Sequence, residues 1–359
     1  MGSKAMTAPT VPPTMQQIAD AAGVSRMSVS LALRNSPKIS ALTAQRIRLL
    51  AEELGYRPNP MVSALMTQLR RAREVKKPSV LAYVTSFPTE EGWRRTGAFV
   101  AFHAGATRRA RELGYILEDW WLHRPGMTER RFCEILTTRN IHGMIVAPPP
   151  PGSEPLRLEW PQFAAATISY SLASPELNRA STDHFATINV AIRELTNLGY
   201  RRIGLAIPEE TDPRVQQHWT AAMLSYQQQI ALADRVPTLF RMSRNPRIFS
   251  HWYQEHQPHA VISIGTECLE VFAELGLRVP QDVGFANLAL TSDDHETAGV
   301  NQNSELVGAA AVDLVDGQLR RNERGVPRYS KTVLISGEWV AGSTVRNLRA
   351  NSVRVRVRV

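Results

Sequence analysis

Capping and turn residues near the N-terminus divide the first part of the chain into short helices. Thr14 and Gln17 have the spacing of a capping box, in which the hydroxyl and the amide each bind a backbone N–H at the helix start. Gly23 can end that helix because glycine turns there without a Cβ clash. Ser25 can cap a second helix, and Gly55 can close a third that begins at Thr43. Two short helices joined by a tight turn and braced by a third predict a helix-turn-helix.

Apolar residues at helical spacing give each predicted helix one inward face. The predicted inward residues are Ile18, Ala19 and Ala22 in the first helix, Val29, Ala32 and Leu33 in the second, and Ile47, Leu50 and Leu54 in the third. These faces supply the core of a small three-helix bundle.

Positive charge is concentrated in the same part of the chain. The 359 residues carry a formal net charge of +9, and residues 1–78 alone hold twelve Lys and Arg against four Asp and Glu. Nearly all of the excess therefore lies on the helix-turn-helix and the segment after it. A polyanion is the partner that this distribution favours.

The sequences AGVSRMSVSLAL, Ile39-Ser40 and ELGYRPNP together resemble the DNA-binding headpiece of LacI/GalR-type transcriptional regulators, without a gap. The resemblance implies an N-terminal all-α helix-turn-helix headpiece with a hinge helix, followed by an α/β periplasmic-binding-protein-like domain of two parallel-sheet subdomains. The implied divisions are a disordered tail (1–12), a DNA-binding domain (13–57), a hinge helix and linker (58–78), an effector-binding and dimerisation domain (79–345) and a basic tail (346–359). Within the effector domain, residues 79–179 and 303–330 would form one subdomain, and residues 180–302 and 331–345 the other.

The start of the second helix is the predicted base-reading element, because the N-terminal residues of a recognition helix meet base edges in the major groove. The candidates for base readout are Arg26, Met27, Ser28 and Ser30, and those for phosphate contacts are Thr14, Ser25, Ser40, Thr43 and Asn59. Arg26 is the strongest, since a guanidinium can bind guanine O6 and N7 together. The family often has an arginine where this chain has Leu31, which favours a different operator or a contact from Arg34.

The segment after Gly55 carries the signature of a helix start. Asn59 can cap a helix whose first residue is Pro60, a position where proline is tolerated. In the resembling family this hinge helix pairs with its dimer mate in the minor groove, and the leucine that wedges between base pairs falls on Leu65. A solvated basic linker is the alternative interpretation.

From Ser79 onwards, predicted strands and helices alternate. The strands are 80–87, 115–122, 142–148, 163–170, 201–207, 259–265, 283–290 and 331–340, and the helices are 97–113, 129–139, 186–198, 219–232, 267–275 and 305–320. Serial βα units with short connections predict parallel sheets with helices on both faces. The segments NLGYRRIGLAI, LGLRVPQDVGFA and GEWVAGSTV resemble the family's effector domain in place and order.

An effector site is expected between the lobes, at the carboxyl ends of the strands. The candidates are Ser86, Phe87, Tyr170, Asp183, Arg214, Trp219, Thr266 and Asn287. Sugar-binding family members usually carry an aspartate in place of Tyr170, Asn-Asp in place of Gly265-Thr266, and an arginine in place of Val215. The loss of these polar groups predicts an effector that is not a simple sugar, or a cleft that no longer senses one.

No catalytic or metal-binding set is convincing. The clusters His251-x-x-x-Glu255-His256 and Asp293-Asp294-His295 have no companion at a known ligand spacing, so a solvated loop or helix face explains them better. Two distant cysteines suit a reducing cytosol, and no apolar run reaches the length of a membrane span. We therefore expect a cytoplasmic protein with no membrane association, no enzymatic activity, no cofactor and no metal.

The favoured function is a sequence-specific, DNA-binding transcriptional regulator, acting as a homodimeric repressor on a palindromic double-stranded operator under control of a small-molecule effector. The alternative is a cytosolic solute-binding or sensor protein whose N-terminal bundle serves assembly. The final VRVRVRV is compatible with an edge strand or with a frayed chain end.

Overall fold

A computed structural model describes residues 13–33, 36, 38–56, 79–240, 246–290 and 294–349. The chain separates into two compact units: the first contains the N-terminal helices together with residues 316–324, and the second contains the remainder of the α/β domain. Several predicted features lie outside the described residues. These are the tail 1–12, Arg34, the hinge segment 58–78 with Asn59 and Leu65, and the last ten residues.

The N-terminal unit contains helices α1 (Met15–Ala22), α2 (Arg26–Leu33) and α3 (Ala41–Glu53). The predicted capping box is present: the Gln17 N–H donates to Thr14 Oγ1 at 3.3 Å, and the Thr14 N–H donates to Gln17 Oε1 at 2.7 Å. Gly23 ends α1 with a φ of 64°, in the left-handed region that favours glycine. The local sequence signals therefore predict both ends of α1, whereas α3 begins at Ala41 behind the Ser40 cap, two residues before the predicted Thr43.

The bundle core contains fewer large side chains than the sequence pattern predicts. Its fully buried residues are Ile18, Ala19, Val29, Ala32, Ala44, Ile47 and Ala51. The prediction that Leu54 faces inward is wrong, because α3 ends at Glu53 and the Leu54 side chain is 41% exposed. Ala44 and Ala51 take the inward positions, which lie on the same helix face as Ile47.

The first lobe of the α/β domain is built on a six-stranded sheet. Its strands are β1 (Ser79–Thr85), β2 (Tyr115–Trp121), β3 (Gly143–Val146), β4 (Ala164–Ile168), β5 (Asn178–Thr182) and β10 (Thr332–Ile335), in the order β10-β5-β4-β3-β1-β2. The β1–β3, β3–β4, β4–β5 and β5–β10 pairs are parallel. Helices α4 (Gly97–Glu112) and α5 (Glu129–Thr138) follow β1 and β2.

The second lobe is built on a five-stranded sheet. Its strands are β6 (Ile203–Leu205), β7 (Ala260–Ser263), β8 (Gly284–Leu290), β9 (Gly299–Asn301) and β11 (Glu338–Val340), in the order β11-β9-β8-β7-β6. The strands are parallel except for β11, which runs antiparallel to β9. The helices of this part of the chain are α6 (His184–Asn197), α7 (His218–Gln227), α8 (Pro246–His256) and α9 (Glu267–Glu274).

Helix α10 (Ser304–Arg321) returns the chain to the first lobe, where it lies against α4. A Cβ on Gly308 would meet the Phe102 carbonyl oxygen at 1.9 Å, and one on Gly105 would meet the Glu305 carbonyl oxygen at the same distance. The two backbones therefore approach each other as closely as glycine allows.

Strand β10 corrects the predicted subdomain division. Residues 331–345 were expected in the second subdomain, but β10 pairs with β5 in the first sheet and only β11 joins the second. The sequence pattern also missed β5, β9 and α8. Strand β5 is polar (NRAST) although it is buried throughout, so it lacks the apolar run by which buried strands are found.

Candidate nucleic-acid interface and ligand cleft

Helix α2 presents its first two side chains to solvent. Arg26 is exposed, and the Met27 side chain is 65% exposed although it is apolar. Ser28 and Ser30 are half-buried, and the Ser28 N–H donates to Ser25 Oγ at 3.1 Å. Arg26 and Met27 are thus the predicted base-reading residues that extend furthest from the bundle, while Ser25 and Ser28 also hold the helix start.

Hydroxyl side chains stand at the N-terminus of each of the three helices. Thr14 caps α1 and Ser25 caps α2. Ser40 caps α3, where its Oγ accepts the Thr43 N–H at 3.2 Å and lies 2.7 Å from the Thr43 hydroxyl. Backbone N–H groups and the helix dipole at such ends favour phosphate. The predicted phosphate-contacting residues therefore also fix the geometry of the helix ends that carry them.

One arginine that the sequence pattern did not single out connects two helices of the bundle. Arg46 on α3 donates from Nη2 to the Ala22 carbonyl oxygen at 3.0 Å, at the end of α1. The contact satisfies a carbonyl that the helix end leaves without an intrahelical partner. It holds the turn before α2 against α3.

Residues from both lobes meet where the strands of the α/β domain end. The Tyr170 ring, just after β4, lies 5.2 Å from the His218 ring at the start of α7 and 6.3 Å from the His184 ring at the start of α6. The Arg179 guanidinium lies 4.8 Å from the centre of the Tyr170 ring. Arg214 Nη2 donates to the Pro149 carbonyl oxygen at 3.0 Å, which joins the second lobe to the first. We call Tyr170, Arg179, His184, Arg214, His218 and Trp219 the junction cluster.

The junction cluster contains buried polar atoms without hydrogen-bond partners among the described residues. They are both ring nitrogens of His184, Trp219 Nε1 and Arg179 Nε, and the neighbouring Asp212 Oδ1 is in the same state. Burial, with a smaller effect of His218, lowers the pKa of His184 to about 3. Burial also lowers the pKa of Arg179 and of Arg214. Polar atoms in this state are uncommon in folded proteins and need an explanation.

Two predicted effector-binding residues are engaged by the fold itself. Asp183 Oδ1 accepts the Ala186 N–H at 2.8 Å and so caps α6. Asn287 Oδ1 accepts the N–H groups of Gly265 and Ala289, each at 3.0 Å, and ties the loop before α9 to β8. Both side chains hold backbone groups in place at the strand ends.

The other predicted effector-binding residues are spread over different environments. Tyr170 and Arg214 belong to the junction cluster, and Trp219, which is 1% exposed, contacts its His184 ring from the core of the second lobe. Ser86 is buried, Phe87 is half-buried, and Thr266 is exposed at the start of α9. The sequence pattern missed Arg179, Asp212, His184 and His218. No continuous sequence signal marks these residues, because their contacts join separate segments of the chain.

In the described part of the chain, no group of three or more His, Cys, Asp or Glu residues is arranged to hold a metal ion. His251 and Glu255 face each other over one helix turn at 3.6 Å, with both side chains mostly exposed. Cys133 and Cys268 are both buried. Within the same residues, no helix has the length and apolarity that crossing a membrane requires.

Comparison with known proteins agrees with this two-part architecture. The family model for bacterial regulatory proteins of the lacI family matches residues 14–59, and that for the periplasmic binding protein-like domain matches residues 192–345. The HTH-type transcriptional regulator PtxS of Pseudomonas plecoglossicida is 30% identical over 55% of this chain, and the match spans 54% of its own length, about half of that relative. The HTH-type transcriptional repressor CytR of Escherichia coli (strain K12) is 25% identical over 77% of this chain and 81% of that protein.

The fold has solved counterparts as well. The crystal structure of the lac repressor dimer bound to operator and an anti-inducer is similar over 94% of this chain and 100% of that chain, with a TM-score of 0.53 and 18% identity. That likeness concerns the fold alone. The family models identify residues 14–59 as a lacI-family regulatory domain and residues 192–345 as a periplasmic binding protein-like domain, the two-part composition for which the sequence resembles LacI-family regulators.

Proposed function

We propose that this chain is a transcriptional repressor that binds a palindromic operator as a homodimer and releases it under control of a small molecule. The proposal rests on one observation above all: Arg26 and Met27 extend from the start of α2, within the segment that matches the lacI-family model. A recognition helix reads DNA through these positions. The basic excess of residues 1–78 supplies the attraction to the duplex.

The DNA contacts divide into two kinds. Arg26 and Met27, with Ser28 and Ser30, read base edges, and Met27 packs on a thymine methyl group. Thr14, Ser25, Ser40 and Thr43 contact phosphates, which fixes the register without carrying sequence information. Asn59 and Leu65 lie outside the described residues, and their roles as helix cap and minor-groove wedge stay predictions from the family resemblance.

Dimerisation and location follow from the same reasoning. One headpiece reads a half-site, so two copies related by a two-fold axis match a palindromic operator. The similar lac repressor is described as a dimer bound to operator. Because operator DNA is the partner, we place the protein in the cytoplasm, with no role at a membrane.

The effector enters at the cleft between the lobes and alters how they close, which is a coupling free energy between two sites. We propose that it is not a simple sugar. A buried sugar presents many hydroxyls, each of which costs about 1–3 kcal/mol if it is left unpaired. Asp183 and Asn287, the two side chains best suited to bind hydroxyls, already hold backbone N–H groups.

A salt titration tests the DNA-binding proposal. A palindromic duplex enriched from a random library is titrated with the full chain, and binding is followed by fluorescence anisotropy at several salt concentrations. If about six phosphates are neutralised, log K falls with a slope of roughly −5 against log salt. A flat response would reject DNA binding and favour the rival function, a solute-binding or sensor protein whose N-terminal helices serve assembly.

A further inference from the structure

The junction cluster contains one arginine from each lobe, and neither has a carboxylate partner among the described residues. Arg179 on β5 is 7% exposed, its guanidinium stacks on Tyr170, and its Nε has no hydrogen-bond partner among the described residues. The nearest acid that affects it is Glu176, whose carboxylate accepts the Ser330 hydroxyl. Arg214 donates to a backbone carbonyl only. A buried cation and a half-buried one, neither in an ion pair among the described residues, are unfavourable unless an anion joins them.

The start of α7 adds hydrogen-bond donors at the same place. This ten-residue helix has no side-chain cap at its N-terminus, where backbone N–H groups and the helix dipole favour negative charge. Trp219, its second residue, is 1% exposed, and its Nε1–H has no partner among the residues that the structure describes. Its ring lies 5.2 Å from that of His184. The His184 ring in turn lies against Tyr170 of the first lobe. A chain of ring contacts therefore connects Trp219 of the second lobe, through His184 and Tyr170, to the Arg179 guanidinium of the first.

Asp212 contributes a carboxylate, and so a hydrogen-bond acceptor, near the start of α7. One of its carboxylate oxygens accepts the Thr220 hydroxyl, and the other, Oδ1, is buried with no partner in the described part of the chain. A ligand hydroxyl would satisfy that oxygen. Asp183, the other nearby acid, is already engaged as the cap of α6. The unmatched groups thus comprise two guanidinium cations, an indole N–H and one acceptor for a hydroxyl.

We propose that the junction cluster binds a small hydroxylated organic anion, whose carboxylate or phosphate group is paired by Arg179 and Arg214 and whose hydroxyl donates to Asp212. The assignment rests on the proposed function, because this cleft is where the effector enters. Guanidinium groups bind planar anionic oxygens with charge-assisted hydrogen bonds. A neutral polyol offers the same hydroxyls but leaves both cations unpaired, so the charge of the ligand decides binding.

Thermal unfolding of the full chain in inorganic phosphate, compared with chloride at equal ionic strength, tests the anion site. At tenfold its Kd, phosphate should raise the Tm of the wild type by about 2–4 °C. Most of that rise should vanish in Arg179→Gln and Arg214→Gln. The matched control is Arg193→Gln on α6, whose side chain is 64% exposed and paired with Glu194, and it should keep the full rise.

Phosphate that binds the basic headpiece should raise the Tm of every variant equally. The difference in Tm rise between variants therefore reports binding at the cleft alone. An equal rise in the wild type and in both cleft variants overturns the proposal. A wild type that shows no rise overturns it too.

A series of three ligands of similar skeleton then separates the two anion chemistries. Glycerol, glycerate and glycerol 3-phosphate are titrated into the full chain by calorimetry. At least one anion should bind tenfold or more tightly than glycerol, and the tighter of the two identifies carboxylate or phosphate as the preferred group. Arg214→Gln should abolish this preference. Equal affinity for glycerol, or no binding by either anion, overturns the assignment.

Operator binding measured on the same samples keeps this inference separate from the proposed function. A wild type that binds operator but shows no anion effect disproves the anion site alone. A wild type that binds no duplex at any salt concentration disproves the proposed function, whatever the anion result.

Discussion

The headpiece and the junction cluster use polar side chains in opposite ways. In the headpiece, Thr14, Ser25 and Ser40 each bond to a backbone N–H three residues further on, so every helix start is satisfied locally. At the junction, the nitrogens of His184 and Trp219 are buried without partners among the described residues. The comparison teaches that one region is complete before it meets its ligand, whereas the other has hydrogen-bonding capacity that its own fold does not use.

The largest expected effect is a loss of stability on replacing Asn287. It tests whether this cleft side chain stabilises the fold or binds a ligand. Asn287→Ala removes the oxygen that accepts two backbone N–H groups, and about 2–4 kcal/mol of unfolding free energy should be lost because both donors are left buried. Denaturant unfolding measures this loss. Asn197→Ala, at the exposed end of α6, is the control and should change stability by less than about 0.5 kcal/mol. Unchanged stability in Asn287→Ala would return Asn287 to the ligand-binding candidates.

Acid should weaken the α/β domain through His184. The pKa of this residue is about 3 in the folded chain and about 6.5 when unfolded, so the unfolded state takes up the proton first as the pH falls. Stability is therefore complete above pH 6.5 and decreases below it, by about 3 kcal/mol at pH 4. His184→Phe should remove this component of the pH dependence, and His251→Gln, an exposed control, should not. Superimposable pH profiles for the wild type and His184→Phe would contradict the assignment.

Arg26→Ala should change sequence preference and leave the fold intact. Loss of a bidentate guanine contact reduces discrimination at one base pair per half-site by about 2 kcal/mol, since each such pair contributes about 1–3 kcal/mol. Binding to a set of operators that differ at single positions measures it. Ser40→Ala, in contrast, should weaken binding to every sequence alike. Equal losses across all operators for Arg26→Ala would exclude it from direct readout.

The smallest expected effect tests how local the stability of the headpiece is. Thr14→Ala removes the capping box of α1 and should lower the stability of the headpiece by about 1 kcal/mol. Hydrogen exchange resolved by residue should show faster exchange within residues 15–53 and no change in the strands of the α/β domain. Matching changes in both regions would show that the headpiece is not a separately satisfied unit.

The same contrast explains what could be predicted from the sequence. Capping by Thr14 and the left-handed turn at Gly23 each depend on residues within one helix turn. Such residues are neighbours in the sequence, so both features could be predicted from it. The family assignment is confirmed for the same reason, because the motifs that carried it are continuous segments. The prediction that Leu54 faces inward is wrong because α3 ends at Glu53, one residue earlier than expected.

Features that depend on contacts between distant parts of the chain could not be predicted from the sequence. Arg179 and His184 become notable only when Tyr170 and Trp219 pack beside them, and no spacing rule connects those residues. Strand β10 was assigned to the wrong lobe because the chain changes sheets within two residues, too short a segment to give a boundary signal.

The two-residue connection between β10 and β11 limits how the lobes can move. Ser336 and Gly337 alone separate the end of β10 from the start of β11, and three extended residue steps span at most about 11 Å. The two strands lie at an edge of their respective sheets, so that edge cannot open far while both remain paired. Relative movement of the lobes should therefore be smallest near Ser336. The displacement of one lobe relative to the other should grow with distance from this edge, so it should be largest at the strands farthest from β10 and β11.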